Sequence, residues 1–413
     1  MGSWRSAVVS ALIAVAIGVA PAVSAQPIPA ADVRAAVVEM ADAIDRVLLD
    51  DHGAARGDYH WQRGVWEPYE VAWHTGQAIE ALLAAHAISG RPRFLDRARQ
   101  AGEFWIGLRF TSGPLKGMIN AAHGDHLGPL INFTTVGNGT PGLFRLSRVT
   151  GDRRFADVAT EAIAWQYRRM AVPGRTDLYY NIVEPDTGRV WTDRSPHHDT
   201  RPATLTQAAR PNIEGSPFLD ACRHGRKQEL CGAHRLLASG TLVRQSEHGF
   251  WIEFEPNDPI TGAVHPRFNT WNAEAMLRAY REYGDRRFLN AALRTARANA
   301  RMMRPDGSFD YRQSVSSEGG RDQPTGSATA FAGLLWLGLR RDGAREFDER
   351  IHGAARWLIA NRYPANHPDP NLRGLVVERR VKRTESGPIV LQRDLGNLFA
   401  VRFFEAYLRE FGE

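Results

Sequence analysis

The stretch VTGDRRFADVATEA (Val149–Ala162) returns as EYGDRRFLNAALRTA (Glu282–Ala296), 133 residues further along the chain. Two looser copies, SGRPRFLDRARQA (Ser89–Ala101) and DGAREFDERIHGAARWL (Asp342–Leu358), keep the same frame: a Gly, a Phe four residues later, then small or apolar residues at helical spacing. The pairs are Gly90/Phe94, Gly151/Phe155, Gly284/Phe288 and Gly343/Phe347. Gly reaches left-handed dihedrals at little cost and so ends a helix, and the polar residue after it starts the next. Each phrase therefore predicts the corner of a helical hairpin, with the Phe as a core anchor.

The Gly spacings are 61, 133 and 59 residues, so the middle interval holds room for one more hairpin. GSPFLDACRHG (Gly215–Gly225) sits where its corner belongs, although Pro211 and Pro217 argue against long helices there. Before each corner runs a helix rich in small apolar residues, and after it a more charged one. Two further helical stretches, Ala31–Asp50 and Leu395–Phe411, are available to close a ring. The pattern predicts an all-α (α/α)6 toroid over residues 26–413, a single domain with a few short strands in its loops and a loop-rich insertion around 190–265. An open superhelix of helical repeats is the competing architecture.

The N-terminus reads as a signal peptide over residues 1–25. Arg5 is basic, Ala7–Ala20 is almost wholly apolar, and AVSA (Ala22–Ala25) offers small residues for cleavage. This predicts a secreted or periplasmic protein with no stable membrane span after cleavage, because no second apolar run is long enough. The formal charge of +6 comes from Arg residues interspersed with Asp and Glu, a solvated surface that does not suit nucleic acid. Cys222 and Cys231 predict a local disulfide in an oxidising compartment. No set of ligands at a diagnostic spacing marks a metal site, and no cofactor is expected.

Several segments, in order from Trp73 to Leu339, resemble the six-hairpin glycosidases, and among them the unsaturated glucuronyl hydrolases. They are LRFTSGPLKGMIN, TTVGNGTPGLFRLSRVTGDRRFADVA, TDLYYNIVEPDTGRV, WNAEAMLRAYREYGDRRFLNAA, RPDGSFDYRQ and TGSATAFAGLLWL. The resemblance implies Asp residues that protonate and hydrate an unsaturated sugar. Here the sequence departs: Thr134 stands at the second inner helix, His74 without a carboxylate near the first, and Asn181 where a His is implied. The Asn of the helix motif is present as Asn138.

Candidate chemistry falls on loops that feed the inner helices. NAAHGDHLGPLINF (Asn120–Phe133) sets His123, Asp125 and His126 within four residues, a carboxylate beside imidazoles suited to proton transfer. SPHHD (Ser195–Asp199) is similar but reads as surface loop. PRFNTWNAE (Pro266–Glu274) offers Arg267 for carboxylates, Trp271 for sugar faces and Asn272 for hydroxyls, with Asn269 a site residue or an N-cap. DGSFDYRQ (Asp306–Gln313) offers Asp310 as acid or base beside Tyr311 and Arg312. GFWIEFEP (Gly249–Pro256) alternates like a strand, with Glu253 and Glu255 on one face.

These residues predict a carbohydrate-active enzyme acting on an oligosaccharide or polysaccharide, uronic-acid-containing ones included. Glycoside hydrolysis is the leading expectation and would use a carboxyl pair, Asp125 with Asp310 or with Glu253. A lyase or uronate epimerase would instead abstract the proton beside a carboxylate, using His123, His126, Tyr179 or Tyr180 with Asn138 and Arg267. A non-catalytic glycan-binding toroid is the third reading. Asp125, Asp310, His74, Asn138 and Trp271 are expected to line one mouth.

Overall fold

The computed structural model describes residues 26–124, 128–195, 202–254, 256–314, 323–384 and 387–412. The chain opens with α1 (Ala30–Ala43) and then builds hairpins in sequence order. These are α2/α3 (Val71–Ser89, Pro92–Gly107), α4/α5 (Phe133–Thr150, Arg153–Arg169) and, after the short α6 (Leu205–Ala208), α7/α8 (Pro217–Arg223, Glu229–Val243). α9/α10 (Pro266–Tyr283, Arg286–Met302) and α11/α12 (Gly326–Arg341, Asp348–Ala360) follow, and α13 (Leu395–Phe411) completes a sixth hairpin with α1. The architecture is an (α/α)6 toroid with α2, α4, α7, α9, α11 and α13 on the inside.

The repeated phrase folds as its chemistry dictates. Gly90, Gly151 and Gly284 end α2, α4 and α9 with φ of 67°, 76° and 72°, and each N–H returns to the carbonyl four residues back. Asp152 and Asp285 then cap the next helix, accepting from the N–H of Arg154 (3.0 Å) and Arg287 (2.9 Å). Phe94, Phe155 and Phe288 are buried. The hairpin in the long interval is present but clipped, since Pro217 opens an α7 of only seven residues. The Cys222 and Cys231 sulfurs are bonded, with Cα atoms 5.2 Å apart, and tie this short helix to α8.

The inner helices touch through small residues. α2 crosses α4 with backbones in contact: a Cβ on Gly76 would lie 2.0 Å from the Gly139 carbonyl oxygen, and one on Gly142 would lie 2.1 Å from that of Gly76. Between α7 and α9 the link is polar, Arg278 donating to the Gly215 carbonyl (2.7 Å) and pairing with Asp220. The chain ends meet where Tyr407 accepts from the Ile28 N–H (3.0 Å) and Asn397 donates to the Met40 carbonyl (3.0 Å).

Inside the ring the side chains lie in layers. Trp73, Trp271, Phe331 and Phe399 form an aromatic floor, with neighbouring centroids 4.5–5.9 Å apart. Beyond it, Arg145 of α4 bridges Glu80 of α2 (3.0 Å) and Glu405 of α13 (2.7 Å), while Arg402 reaches Gln77. Burial raises the Glu80 pKa, but Arg145, Arg402 and Arg148 outweigh it and hold the carboxyl below its ordinary value.

Strands are few and short. β1 (Asp58–His60) and β2 (Val65–Glu67) join a late hairpin, β9 (Arg379–Thr384) and β10 (Gly387–Arg393), in an antiparallel sheet of order β2-β1-β10-β9. The pairs β3/β5 (Ile131–Asn132, Ile182–Val183), β4/β6 (Tyr179–Tyr180, Ala209–Arg210) and β7/β8 (Ala263–Val264, Gln313–Ser314) brace the loops that lead into inner helices. No helix among the described residues is long and apolar enough to cross a membrane.

This packing sets the cost of two kinds of substitution. Gly76→Ala should cost about 3 kcal/mol in urea unfolding because neither backbone can retreat, whereas Gly107→Ala, facing open space, should be near neutral. Arg145→Met should cost about 3 kcal/mol at pH 7, because Glu80 and Glu405 lose the cation buried between them and Glu405 keeps only the more exposed Arg409. Glu80 has a lowered folded pKa, so its contribution is present above the carboxylate range and lost as pH falls through it. The gap between wild type and Arg145→Met should therefore narrow toward about pH 4, the ordinary carboxylate range.

Candidate active site

In a ring of this kind the inner helices all present their N-terminal ends at one mouth, where the long outer-to-inner connections also lie. Partial positive charge gathers there from the unsatisfied N–H groups of each first turn. The sheet forms one wall. Its register sets Arg393 opposite Asp58, and Asp58 opposite Glu67, so that Arg393, Asp58 and Glu67 share a face. Arg380, two residues on from Glu378, lies on that face as well, opposite Leu391. Arg393 grips Asp58 through two hydrogen bonds (2.8 and 3.2 Å), and Arg380 Nη1 is 3.9 Å from the same carboxylate. Asp58 thus anchors both cations.

The guanidiniums surround two phenols. Arg393 lies 4.3 Å from the Tyr69 ring centre, and Arg380 lies 6.0 Å from Tyr69 and 5.6 Å from Tyr311. Arg267, in the first turn of α9, stacks 4.9 Å from the Trp73 ring. It is 7% exposed, and its Nη1 has no hydrogen-bond partner among the described residues. His265 caps α9 and meets Tyr311 edge-on at 4.7 Å.

Electrostatics separate the two phenols. Burial opposes ionisation of Tyr311, but Arg380, Arg393, Arg267 and Arg312 outweigh it and lower its pKa. Tyr69 is moved the other way, by burial and by the adjacent Glu70 carboxylate. Burial, reinforced by four nearby guanidiniums, also drives the His265 pKa well below its ordinary value. That ring stays neutral, and since Nδ1 accepts from the Phe268 N–H (3.4 Å), Nε2 carries the proton. Glu378 accepts from the Ser327 N–H (2.7 Å) and hydroxyl (2.6 Å), and burial nevertheless raises its pKa.

Beyond Tyr69, whose ring meets His123 edge-on at 5.2 Å, the mouth continues through Glu70 and His123 into a group of amides and hydroxyls. Glu70 precedes α2 in a left-handed conformation (φ 42°), with Oε1 3.2 Å from His123 Nε2 and 3.3 Å from the Thr135 hydroxyl. Thr134 contacts Asn181 (2.9 Å) and Asn212 (3.0 Å), and Asn181 donates to Asn132 (2.8 Å).

The residues singled out in the sequence meet different fates. His123 and Arg267 are at the mouth. His74 is fully buried beneath it, Nδ1 2.7 Å from Asp394 Oδ1, and serves as a tie between the first and last inner helices. Trp271 belongs to the aromatic floor, Asn138 and Asn272 are buried along inner helices, and Tyr180 is half-buried in β4. Arg312 is exposed. Asp310 is 1% exposed, held by Arg304 (3.1 Å) and the Gln323 N–H (3.2 Å), which closes the turn rather than opening a carboxyl to the mouth. Glu253 is paired with Arg244, which also holds Asp177, and the stretch around it forms no named strand. Asn269 is not a cap; its amide oxygen accepts from the Trp251 N–H (2.6 Å) inside the fold. Asp125, His126, Glu255, the His197–Asp199 tract and residues 1–25 lie outside the described residues.

Sequence reasoning missed Tyr69, Glu70, His265, Glu378, Arg380 and Arg393. One signal was available: VVERRVKR (Val376–Arg383) alternates like a strand and places Glu378 and Arg380 on one face. No group of three or more His, Cys, Asp or Glu among the described residues could hold a metal ion.

No family model matches the chain, nor does any curated protein sequence. Solved structures do. Cellobiose 2-epimerase from Bacillus thermoamylovorans aligns with a TM-score of 0.67 at 12% identity, over 91% of this chain and 99% of that one. An unsaturated glucuronyl hydrolase specific for heparin aligns at 0.65 and 14%, over 93% and 98%. A D-mannose isomerase aligns at 0.65 and 9%, over 93% and 100%. At these identities the likeness establishes the six-hairpin fold, shared with unsaturated glucuronyl hydrolases as a distant resemblance.

The protonation state assigned to His265 is directly measurable. Nitrogen NMR of the imidazoles should show His265 as the neutral Nε2–H tautomer, without titration across the ordinary His range, about one unit either side of 6.5. Because its folded pKa is depressed, its contribution to stability should decline as pH falls below that ordinary value.

Proposed function

We propose that the protein is an exported carbohydrate-active enzyme that removes the proton beside the carboxylate of a uronic-acid residue, acting as a uronate lyase on an oligo- or polysaccharide. The observation that carries this reading is Tyr311, a phenol whose pKa four guanidiniums draw down, at a mouth where Arg267 has an unspent hydrogen-bond donor. The fold hosts an epimerase, a hydrolase and an isomerase of sugars in the aligned structures, which supports a sugar substrate. The apolar leader and the Cys222–Cys231 bond support export.

In this mechanism Arg267 and Arg380 bind the substrate carboxylate and neutralise charge as it spreads from the adjacent carbon. The Tyr311 oxygen takes the C5 proton. The released electron pair forms the C4–C5 double bond as the C4–O bond breaks, and His123 protonates the departing oxygen. The products are a 4,5-unsaturated uronate and a shortened glycan. Epimerisation is the second reading, favoured by a second proton carrier at the mouth, His123, whose ring meets Tyr69 edge-on at 5.2 Å, where it could return the proton to the sugar. Hydrolysis, the first expectation from sequence, would fall to Glu70 and Glu378 among the described residues, yet Glu378 is closed over by Ser327 and Glu70 is engaged by Thr135 and His123.

Incubation with a panel of acidic glycans discriminates the three. A new ultraviolet band of a conjugated uronate is expected. New reducing ends without that band would mean hydrolysis, and solvent deuterium entering the sugar without cleavage would mean epimerisation. Tyr311→Phe should slow the reaction at least about a hundredfold. Arg380→Ala should raise the Tyr311 pKa, so the rising limb of rate against pH should move to higher pH, with Arg380→Lys between it and wild type.

A further inference from the structure

The arginine wall accounts for only half of the mouth. We propose that the other half, where α4 meets the entry to α7, is a second sugar subsite that takes an uncharged, hydroxyl-rich residue joined to the uronate. The proposal rests on the uronate reading for what occupies the first half.

The observation is an amide that the fold leaves unfinished. Asn212 is 4% exposed and adopts a left-handed conformation (φ 51°). Its Oδ1 lies 3.0 Å from the Thr134 hydroxyl, its Nδ2 has no partner among the described residues, and Thr134 also lies 2.9 Å from Asn181 Oδ1. A hydroxyl has one proton, so it cannot donate to both amides; one of the two contacts must have the hydroxyl as acceptor. Turning the Asn212 amide over satisfies Thr134 but leaves Oδ1 empty in place of Nδ2. In either orientation one polar atom of a buried side chain is left without a partner among the described residues.

Such an atom costs about 1–3 kcal/mol while unpaired, and a left-handed non-Gly residue adds its own strain. Further along the same loop, Gly215 (φ 73°) and Ser216 (φ 53°) are also left-handed, and the buried Ser216 hydroxyl is likewise without a partner among the described residues. Glu214, bound to Arg210, pins the loop in place. A structural loop gains nothing from these costs, whereas a binding site recovers them when ligand arrives.

The chemistry of the surroundings selects the ligand. Thr134 and Asn181, both half-buried, form the open side of the cluster, and Asn132 and Asn181 contribute amide oxygens to it. An anion would face those acceptors, and the guanidinium nearest in sequence among the described residues, Arg210, is already paired with Glu214. A sugar hydroxyl both donates and accepts, so it completes Asn212 in either orientation. The mouth is thereby divided into an arginine side for a carboxylate and an amide side for neutral hydroxyls.

Isothermal titration calorimetry with cellobiose as the neutral probe and glucuronate as the acidic one tests this on the intact protein. Asn212→Gly keeps the left-handed backbone accessible, and Thr134→Val keeps the shape of the cluster while removing its hydroxyl. Each should weaken cellobiose about tenfold and leave glucuronate within about twofold, while Arg380→Ala should do the reverse. Cellobiose affinity that survives both amide-side variants, or wild-type protein that binds no cellobiose, overturns the subsite. Loss of cellobiose in those variants with glucuronate indifferent to Arg380→Ala would keep the subsite and sink the uronate reading instead. Should Asn212→Gly fail to fold, Thr134→Val by itself decides the matter in the same way.

Discussion

The contact on which the rest of the structure depends is the backbone-to-backbone crossing of α2 and α4. Gly76, Gly139 and Gly142 let two helices approach until carbonyl oxygens occupy the space a Cβ would need. That closeness fixes the relative height of the two helices. Above the crossing it brings the Glu70 carboxylate to the Thr135 hydroxyl, and below it brings Arg145 to Glu80. One steric constraint thus sets the geometry of the mouth and of the charged layer together. The second inner helix also carries Pro141 in its interior. The Gly137 carbonyl, which a proline at that position cannot pair, accepts instead from the Thr140 hydroxyl (2.8 Å).

Charge at the mouth is arranged by unequal pairing. Asp58 holds Arg393 with two hydrogen bonds and lies within reach of Arg380, which fixes both cations on one sheet face. Tyr311, with guanidiniums around it and a neutral His265 at its edge, is made more acidic. Tyr69 feels Arg393 and Arg380 as well, but its burial and the neighbouring Glu70 carboxylate prevail, and it is made less acidic. Two side chains of one type are driven apart by their surroundings, burial and neighbouring charge together, which is how a site assigns one proton to one place.

Much of the ring was legible because its signals are local. A Gly that ends a helix, an Asp that caps the next and a Phe that anchors the corner act within a few residues of one another, so their spacing survives in the sequence. The shortened hairpin at Gly215–Gly225 could be located by interval even though its first helix is only seven residues long. The site was less legible because its clues misled in a consistent way. Asp310 and Glu253 looked like free carboxyls, but both are engaged by arginines that sequence spacing does not reveal. His74 looked like a substrate contact, and its distance from Asp394 makes it a tie between the first inner helix and the entry to the last.

The sequence by itself therefore determined the number and order of the hairpins, which helices face inward and where the chain turns, because helix capping and hydrophobic period are short-range effects. Only the tertiary structure decided which side chains share the mouth. Asp58, Tyr69, Arg267, Tyr311, Arg380 and Arg393 come from segments spread along almost the whole chain. They meet because the ring closes through α1 and α13 and because a late hairpin pairs with an early strand in one particular register. A shift of that register by one residue would turn Arg393 and Arg380 away from the phenols, and no local pattern encodes it.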